Sequence, residues 1–329
     1  MTAADPTLAR RLRAQLLSGP PVRTVEAVVE RLLAVQAQDL HGARLTVRAR
    51  STGLSASVID RALAERRLVV TWVNRGTLHL VRAEDYRWLH ALTTPQLASG
   101  NARRLRQEEV SPAQAERGVE ILEDELSAGP RTRTALRAAL SAGGVPVAGQ
   151  AVPHLLFLAT LRGLCVRGPM VGREQAFVLV RDWLPTHGPV DEQAALAELG
   201  RRYAASHAPA TAEDLSKWAG ITLTAARTAM AAVTGQLPPA PPPPGPLLLG
   251  PFDELLMGWA SRDLVLGGAA GVITSNGVFR PVILVDGRAV GTWSRAGHRV
   301  SLHPFLPLDP AVRRGLQPEV DDVERFLST

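Results

Sequence analysis

The chain has 329 residues, of which 46% are hydrophobic, enough to form the cores of two or three domains. Its single cysteine, Cys165, excludes a disulfide framework, an iron–sulfur cluster held by four cysteines and a cysteine-rich zinc site, and is typical of a reducing compartment. The formal net charge is +6, and the excess of positive charge lies in residues 1–110, which contain 17 arginines and 10 acidic residues. A basic surface of this kind favours a phosphate backbone as partner.

No stretch of the chain approaches the ~20 consecutive apolar residues that a membrane-spanning helix needs. The first residues also lack the apolar core of a signal peptide and carry Arg10, Arg11 and Arg13 instead. We therefore expect a cytoplasmic, nucleoid-associated protein with no membrane partner.

Residues 1–110 show the element order of a winged helix-turn-helix unit, three helices followed by a β-hairpin. Apolar spacing and capping residues predict the helices, and a run of β-branched residues predicts the hairpin. The predicted helices cover 7–17, Thr24 to about Val35, and Ser55 or Ser57 to Arg67; the hairpin covers 68–81 with its turn at Arg75-Gly76, and a short helix over 85–92 follows.

The same order recurs in residues 111–190, which predict a second winged unit, and in residues 191–237, which predict a third helix-turn-helix or winged unit. The pair Ser111-Pro112 is typical of a helix start, and so is Thr211, whereas Gly220 is typical of a helix end. The second unit has predicted helices over 111–126, 132–140 and 150–163 and a hairpin from Cys165 to Val180; the third has helices over 191–206, 211–220 and 225–233.

The remainder of the chain changes character. Residues 238–246 are almost all proline and predict a connector in the polyproline conformation. Residues 247–329 predict a small C-terminal β domain, with hairpin turns at Asn276-Gly277 and Asp286-Gly287, a strand over 300–303 and a closing helix over 309–328. The predicted fold class is α+β.

Two glutamines, Gln36 and Gln38, follow the apolar end of the second predicted helix. Residues two apart are rotated by about 200° on a helix and cannot share a face, whereas in extended backbone they point the same way. If the two amides act together, the helix must therefore end near Val35 and the chain must straighten. The alternative is that they are ordinary polar residues at a helix end.

Several catalytic motifs are missing from the sequence. It contains no phosphate-binding loop of the Gly-x-x-x-x-Gly-Lys-Ser/Thr type, no His-Glu-x-x-His pair and no Gly-x-Ser-x-Gly turn. His298 and His303 are close in sequence but have no further ligands nearby. We expect neither a metal nor a cofactor.

Five stretches together resemble the winged-helix DNA glycosylases of the AlkZ type, a bacterial family that includes azinomycin-resistance proteins. In chain order they are Val35–Asp39, Asn74–Val81, the third helix-turn-helix, Gly250–Gly258 and Asn276–Trp293. The resemblance covers nearly the whole chain. It implies tandem winged helices in a C-shaped clamp with a basic concave face, and it gives Gln36 and Gln38 the role of the family's catalytic Gln-x-Gln motif.

The chemistry of such a reaction suits two neutral amides. Alkylation at N7 of guanine makes the base positively charged and weakens its glycosidic bond, so a strong acid is unnecessary. A glutamine does not titrate, but two amide carbonyls can hold a water and offer partial negative charge to an electron-poor sugar. Asp39 would point to the opposite side of extended backbone, so we rank it below the glutamines.

The sequence thus predicts a monofunctional DNA glycosylase that excises N7-alkylated purines from double-stranded DNA and leaves an abasic site. Bulky genotoxin–guanine adducts and crosslinks are candidate lesions, and the protein is expected to act as a monomer. Two alternatives are a non-catalytic winged-helix DNA-binding protein, such as a regulator or architectural factor, and a scaffold that binds no nucleic acid. The candidate DNA contacts, each of which could instead be a solvated surface residue, are Arg44, Arg48, Arg75, Arg103, Arg104 and Arg106.

Overall fold

A computed structural model of the protein describes residues 5–186, 188–233, 242 and 244–328. The chain divides into two compact units, which we name the split unit and the inserted unit. The split unit consists of Met1–Ile59 and Leu196–Thr329, and the inserted unit of Asp60–Ala195. Both combine helices with antiparallel strands, as the α+β prediction requires.

The split unit contains the two ends of the chain. Its helices are Pro6–Ala14, Val25–Leu32, Leu40–Arg48, Ala56–Ala64 (which continues into the inserted unit), Glu192–His207 (which begins there), Ala212–Ala219, Leu223–Ala231, Glu254–Met257, Asp263–Leu266 and Pro310–Leu327. Its strands are Val35–Gln36, Leu247–Leu249, Val282–Val285, Arg288–Ala296 and Arg299–Pro304. The last four lie side by side in that order as an antiparallel sheet.

The inserted unit contains both predicted wings. Its helices are Tyr86–Thr93, Ala98–Gln107, Pro112–Ser127, Arg133–Ala142, Ala151–Leu161 and Val180–Trp183, with a 3-10 turn at Pro95–Leu97, and its strands are Leu68–Val73, Thr77–Arg82, Cys165–Val171 and Glu174–Leu179. The two hairpins join through antiparallel pairing of Leu68–Val73 with Cys165–Val171, at Val70 and Arg167. The hairpins of the first two predicted units therefore share one sheet.

The compact units do not follow the predicted segments. The segment 1–110 contributes its first helices to the split unit and its hairpin to the inserted unit, because the division falls after Ile59. The division of the chain into five domains stays a prediction, and so does the C-shaped clamp.

Local sequence signals placed most of the helix starts correctly. Ser111 and Thr211 each form a capping box with the residue three positions later, and Thr24 and Thr132 accept from the first-turn amides of their helices. Gly220 ends its helix with a left-handed φ of 71°, as predicted for a helix-turn-helix turn.

Five of the described helices were not predicted: Leu40–Arg48, Ala98–Gln107 and the one-turn helices Val180–Trp183, Glu254–Met257 and Asp263–Leu266. The helix after the third turn begins at Leu223, capped by Thr222, and not at Ala225 as predicted. The predicted connector 238–246 lies mostly outside the described residues. In the part of the chain that the structure describes after this helix, the first hairpin begins at Val282.

The C-terminal turns differ from each other. Asp286 and Gly287 both have positive φ, 51° and 79°, as a two-residue type I′ turn requires. The predicted type I′ turn at Asn276 is wrong, since Gly277 has positive φ but Asn276 does not, and only the isolated bridge between Ile273 and Phe279 forms. The hydroxyl of Thr274 adds side-chain hydrogen bonds to this turn, since it donates to the Asn276 side chain and accepts from Val278 N.

None of the helices in the described part of the chain combines the length and the apolar character that crossing a bilayer requires.

Candidate active site

A strained turn lies between the helix Val25–Leu32 and Gln36. The helix Val25–Leu32 buries four apolar residues and ends at Leu33, which has φ 69° and ψ −51°. The amide of Ala34 donates to the carbonyl of Leu32 at 2.9 Å, which closes a γ-turn with positive φ, a conformation that a leucine rarely adopts. The chain then straightens into Val35–Gln36. The prediction that the helix ends before the glutamines is confirmed, although it ends earlier than Val35.

The two glutamines lie in different surroundings. Gln36 is 4% exposed, and its side-chain oxygen Oε1 is buried without a hydrogen-bond partner among the described residues. Gln38 is exposed and follows the end of the strand in a bend. The straight backbone therefore extends only through Gln36, and the prediction that both amides face one substrate stays a prediction.

Asp39 has a structural role that accounts for its position. Its carboxylate accepts from the amide of His41 at 3.0 Å and caps the helix Leu40–Arg48. Burial, followed by the positive charge of Arg295, lowers the pKa of His41, so the imidazole beside the Gln-x-Gln motif is neutral at pH 7.

A buried carboxyl group lies behind Gln36. Glu254 is 1% exposed, and its Oε1 accepts from the backbone amide of Gln36 at 2.6 Å. The indole Nε1 of Trp218 lies 3.4 Å from the other oxygen, Oε2. Burial raises the pKa of Glu254 to about 7, and the neighbouring charge of Asp253 contributes to the rise, while the amide of Gln36 opposes it. The third helix-turn-helix, which supplies Trp218, thus supports the Gln36 segment.

The residue before Glu254 anchors this segment. Asp253 forms a bidentate ion pair with Arg50, with both nitrogen–oxygen distances at 2.8 Å and both side chains fully buried. Arg50 also donates to the carbonyl of Thr46 and to Oε1 of Gln15. Asp253 in turn caps the helix Glu254–Met257 by accepting from the amide of Leu255. This network holds the carboxyl of Glu254 against Gln36.

Two glycines allow these segments to approach closely. A Cβ added to Gly42 would lie 2.7 Å from the carbonyl oxygen of Pro251, and one added to Gly250 would lie 2.7 Å from Cβ of Leu45. Neither distance leaves room for a side chain. The helix after the Gln-x-Gln motif and the Gly250–Gly258 stretch therefore pack backbone to backbone.

The predicted DNA contacts divide into three groups. Arg103, Arg104 and Arg106 are exposed on the helix Ala98–Gln107. Arg44 and Arg75 are half-buried. All five stay predictions as DNA contacts.

The sixth predicted contact, Arg48, does not lie on the surface. Its side chain is buried and donates to the carbonyl of Leu248 at 2.6 Å, to Glu319 at 2.9 Å and to Asp322 at 3.1 Å. These bonds tie the helix Leu40–Arg48 to the C-terminal helix. The prediction that Arg48 contacts DNA is wrong, because the side chain is buried and both terminal nitrogens donate within the protein.

The structure groups no three or more His, Cys, Asp or Glu side chains into a metal-binding cluster among its described residues. His303 lies 2.7 Å from the hydroxyl of Ser294, through its Nε2.

Glu254 was not predicted from the sequence as a neighbour of Gln36. A signal was present, since two adjacent acids, Asp253 and Glu254, lie between apolar Phe252 and Leu255. Acids in such surroundings are buried only when they are paired or hydrogen-bonded.

Comparison with known proteins identifies the family. A sequence model described as "DNA glycosylase AlkZ-like" matches residues 29–326. The chain belongs to the AlkZ-like DNA glycosylase family. It is therefore a DNA glycosylase, and both non-enzymatic alternatives are wrong.

Two relatives from Streptomyces sahachiroi extend this finding. The chain is 26% identical to a protein named "Interstrand DNA cross-link repair glycosylase", over 96% of this chain and 94% of that protein. Its fold matches the solved structure of the Streptomyces sahachiroi DNA glycosylase AlkZ with a TM-score of 0.79 and 24% identity, over 98% of this chain and 96% of the other. The likeness to the solved structure shows that the two chains share a fold.

Proposed function

We propose that the protein is a monofunctional glycosylase that removes N7-alkylated purines from double-stranded DNA by hydrolysis at C1′. The observation that carries the proposal is the amide oxygen of Gln36, which is buried without a hydrogen-bond partner among the described residues, at the start of the Gln-x-Gln motif. An unsatisfied buried acceptor is costly, and water or an electron-poor group would satisfy it.

The reaction needs little acid catalysis. The oxygen of a water forms a bond to C1′, and the bond from C1′ to the purine nitrogen breaks. The electron pair of that bond goes to the purine, which neutralises its positive charge, and a proton of the water passes to solvent. Gln36 and Gln38 position the water and oppose the positive charge that develops on the sugar.

The relative from Streptomyces sahachiroi is named for interstrand crosslink repair, which makes crosslinks and bulky guanine adducts candidate substrates for this chain as well. Arg44, Arg75, Arg103, Arg104 and Arg106 are proposed to contact the phosphate backbone. We propose that a single chain carries out the reaction on its own.

Incubation with a duplex containing one 7-methylguanine, and with a duplex carrying a bulky N7 adduct or a crosslink, tests the proposal. We expect released base and an abasic site that breaks only on heating in alkali. The variants Gln36→Ala and Gln38→Ala should each slow release on the order of a hundredfold, as loss of one oriented polar group does in other enzymes. Absence of release from every substrate, or full activity in the double variant, would refute it.

A further inference from the structure

Glu254 is an acid that the proposed mechanism does not use, although it touches the backbone of a proposed catalytic residue. Its carboxyl oxygen lies 2.6 Å from the amide nitrogen of Gln36 and is buried with the rest of the side chain. A charge-assisted bond of this length restrains the peptide that carries the Gln36 side chain. The γ-turn at Leu33 lies three residues before Gln36, so the restraint acts close to a strained part of the backbone.

Among the described residues Glu254 forms no salt bridge, because the neighbouring arginine, Arg50, is paired with Asp253. Arg50, whose positive charge lowers the pKa of Glu254, directs its terminal nitrogens to Asp253, Gln15 and the carbonyl of Thr46. In the part of the chain that the structure describes, the groups hydrogen-bonded to Glu254 are the neutral amide of Gln36 and the neutral indole of Trp218. The negative charge of the ionised carboxyl is therefore not cancelled by a direct partner.

We propose that Glu254 is a positioning residue for base excision, whose carboxylate orients Gln36 through its backbone amide and places negative charge behind the site of the electron-poor sugar. The inference rests on the proposed function of Gln36. In a water-excluded interior such a charge acts over more than one contact distance, because it is screened less than at the surface.

The charge of this group changes near neutral pH. Burial and, less strongly, the negative charge of Asp253 raise the pKa of Glu254 to about 7, against the lowering effects of the Gln36 amide, the Trp218 indole and the positive charge of Arg50. The charged groups that act on Glu254 are thus Asp253, in the same segment, and Arg50, two residues beyond the helix Leu40–Arg48. Protonation would weaken the bond to Gln36 and remove the negative charge, so base release should rise as pH increases through neutrality.

The test compares wild-type protein with Glu254→Gln, which keeps the size and a carbonyl acceptor but cannot ionise. Single-turnover release of 7-methylguanine is measured from about pH 5.5 to about pH 8.5. We expect the wild-type rate to show a step near pH 7, and the variant to be flat and slower on the order of tenfold at the upper end. The matched control is Glu319→Gln, because Glu319 is hydrogen-bonded to Arg48 and Leu248 and not to Gln36. The control should keep the step.

A second readout does not depend on activity. The amide proton of Gln36 and the indole proton of Trp218 should both shift in NMR spectra as pH crosses about 7 in the wild-type protein, and neither should shift in Glu254→Gln. This measurement also serves if the variant is poorly folded, since the wild-type titration alone reports the coupling.

The outcomes separate the two proposals. If Gln36→Ala loses activity while Glu254→Gln keeps the wild-type rate and pH step, the inference about Glu254 is wrong and the proposed function stands. A Gln36 amide shift that stays constant across this pH range also overturns the inference. If the wild-type protein releases no base while the amide shift titrates, the coupling is real and the proposed function fails.

Discussion

The buried pair of Arg50 and Asp253 gives the sharpest stability prediction. Replacing Asp253 by Asn leaves the Arg50 charge with no carboxylate, at a site where both side chains are fully buried. Removing one member of such a pair costs about 3–5 kcal/mol of the free energy of unfolding, because the remaining charge stays desolvated. Arg50→Met should cost a similar amount by stranding the carboxylate.

The double variant Arg50→Met/Asp253→Asn decides whether this reasoning is right. With both charges gone, no uncompensated ion remains, so it should be no less stable than either single variant. Urea unfolding followed by circular dichroism measures all three. The matched control is the exposed pair of Arg201 and Glu198, whose disruption should cost less than about 1 kcal/mol. Single losses that simply add in the double variant would refute the account.

Three further predictions concern other parts of the chain. Burial lowers the pKa of His207 to about 3, so as the pH falls below about 6.5 this histidine takes up a proton in the unfolded chain but not in the folded one. The free energy of unfolding should therefore fall as the pH drops from about 6.5 towards about 3. Equal free energies of unfolding at both pH values, measured by urea titration, would contradict this. Gly200→Ala should lower the melting temperature, since the added Cβ would lie 2.0 Å from the carbonyl oxygen of Ala229. In DNA-binding assays at increasing salt, Arg104→Ala should reduce the slope of log affinity against log salt by about 1, whereas Arg48→Ala should leave this slope unchanged. If both variants reduce the slope equally, Arg48 contacts DNA after all.

Several features that depend on neighbouring residues could be predicted from the sequence, although the turn at Asn276 could not, and features that depend on distant segments could not be predicted. Thr211 caps its helix and Asp286 starts its turn through bonds within a few residues, so their patterns sufficed. Gly42, within a helix that we did not predict, is needed because Pro251 packs against it from the other end of the chain. The family resemblance identified Gln36 but contained no information about its contact with Glu254.

The same reason explains the error at Arg48. An arginine at the end of a basic stretch fits a DNA-facing surface equally well whether or not acids approach it. The acids that occupy it, Glu319 and Asp322, lie more than two hundred residues later in the chain. Only the tertiary fold brings them together with the arginine.

The sheet that the two hairpins of the inserted unit share has a consequence for the design of truncated proteins. Because the strand Leu68–Val73 pairs with Cys165–Val171, a fragment that stops after the first repeat would present an unpaired, mostly buried strand to solvent. Exposed apolar edges of this kind promote association between copies. Expression of residues 1–110 alone should therefore yield aggregates, and a useful truncation would have to keep both hairpins together.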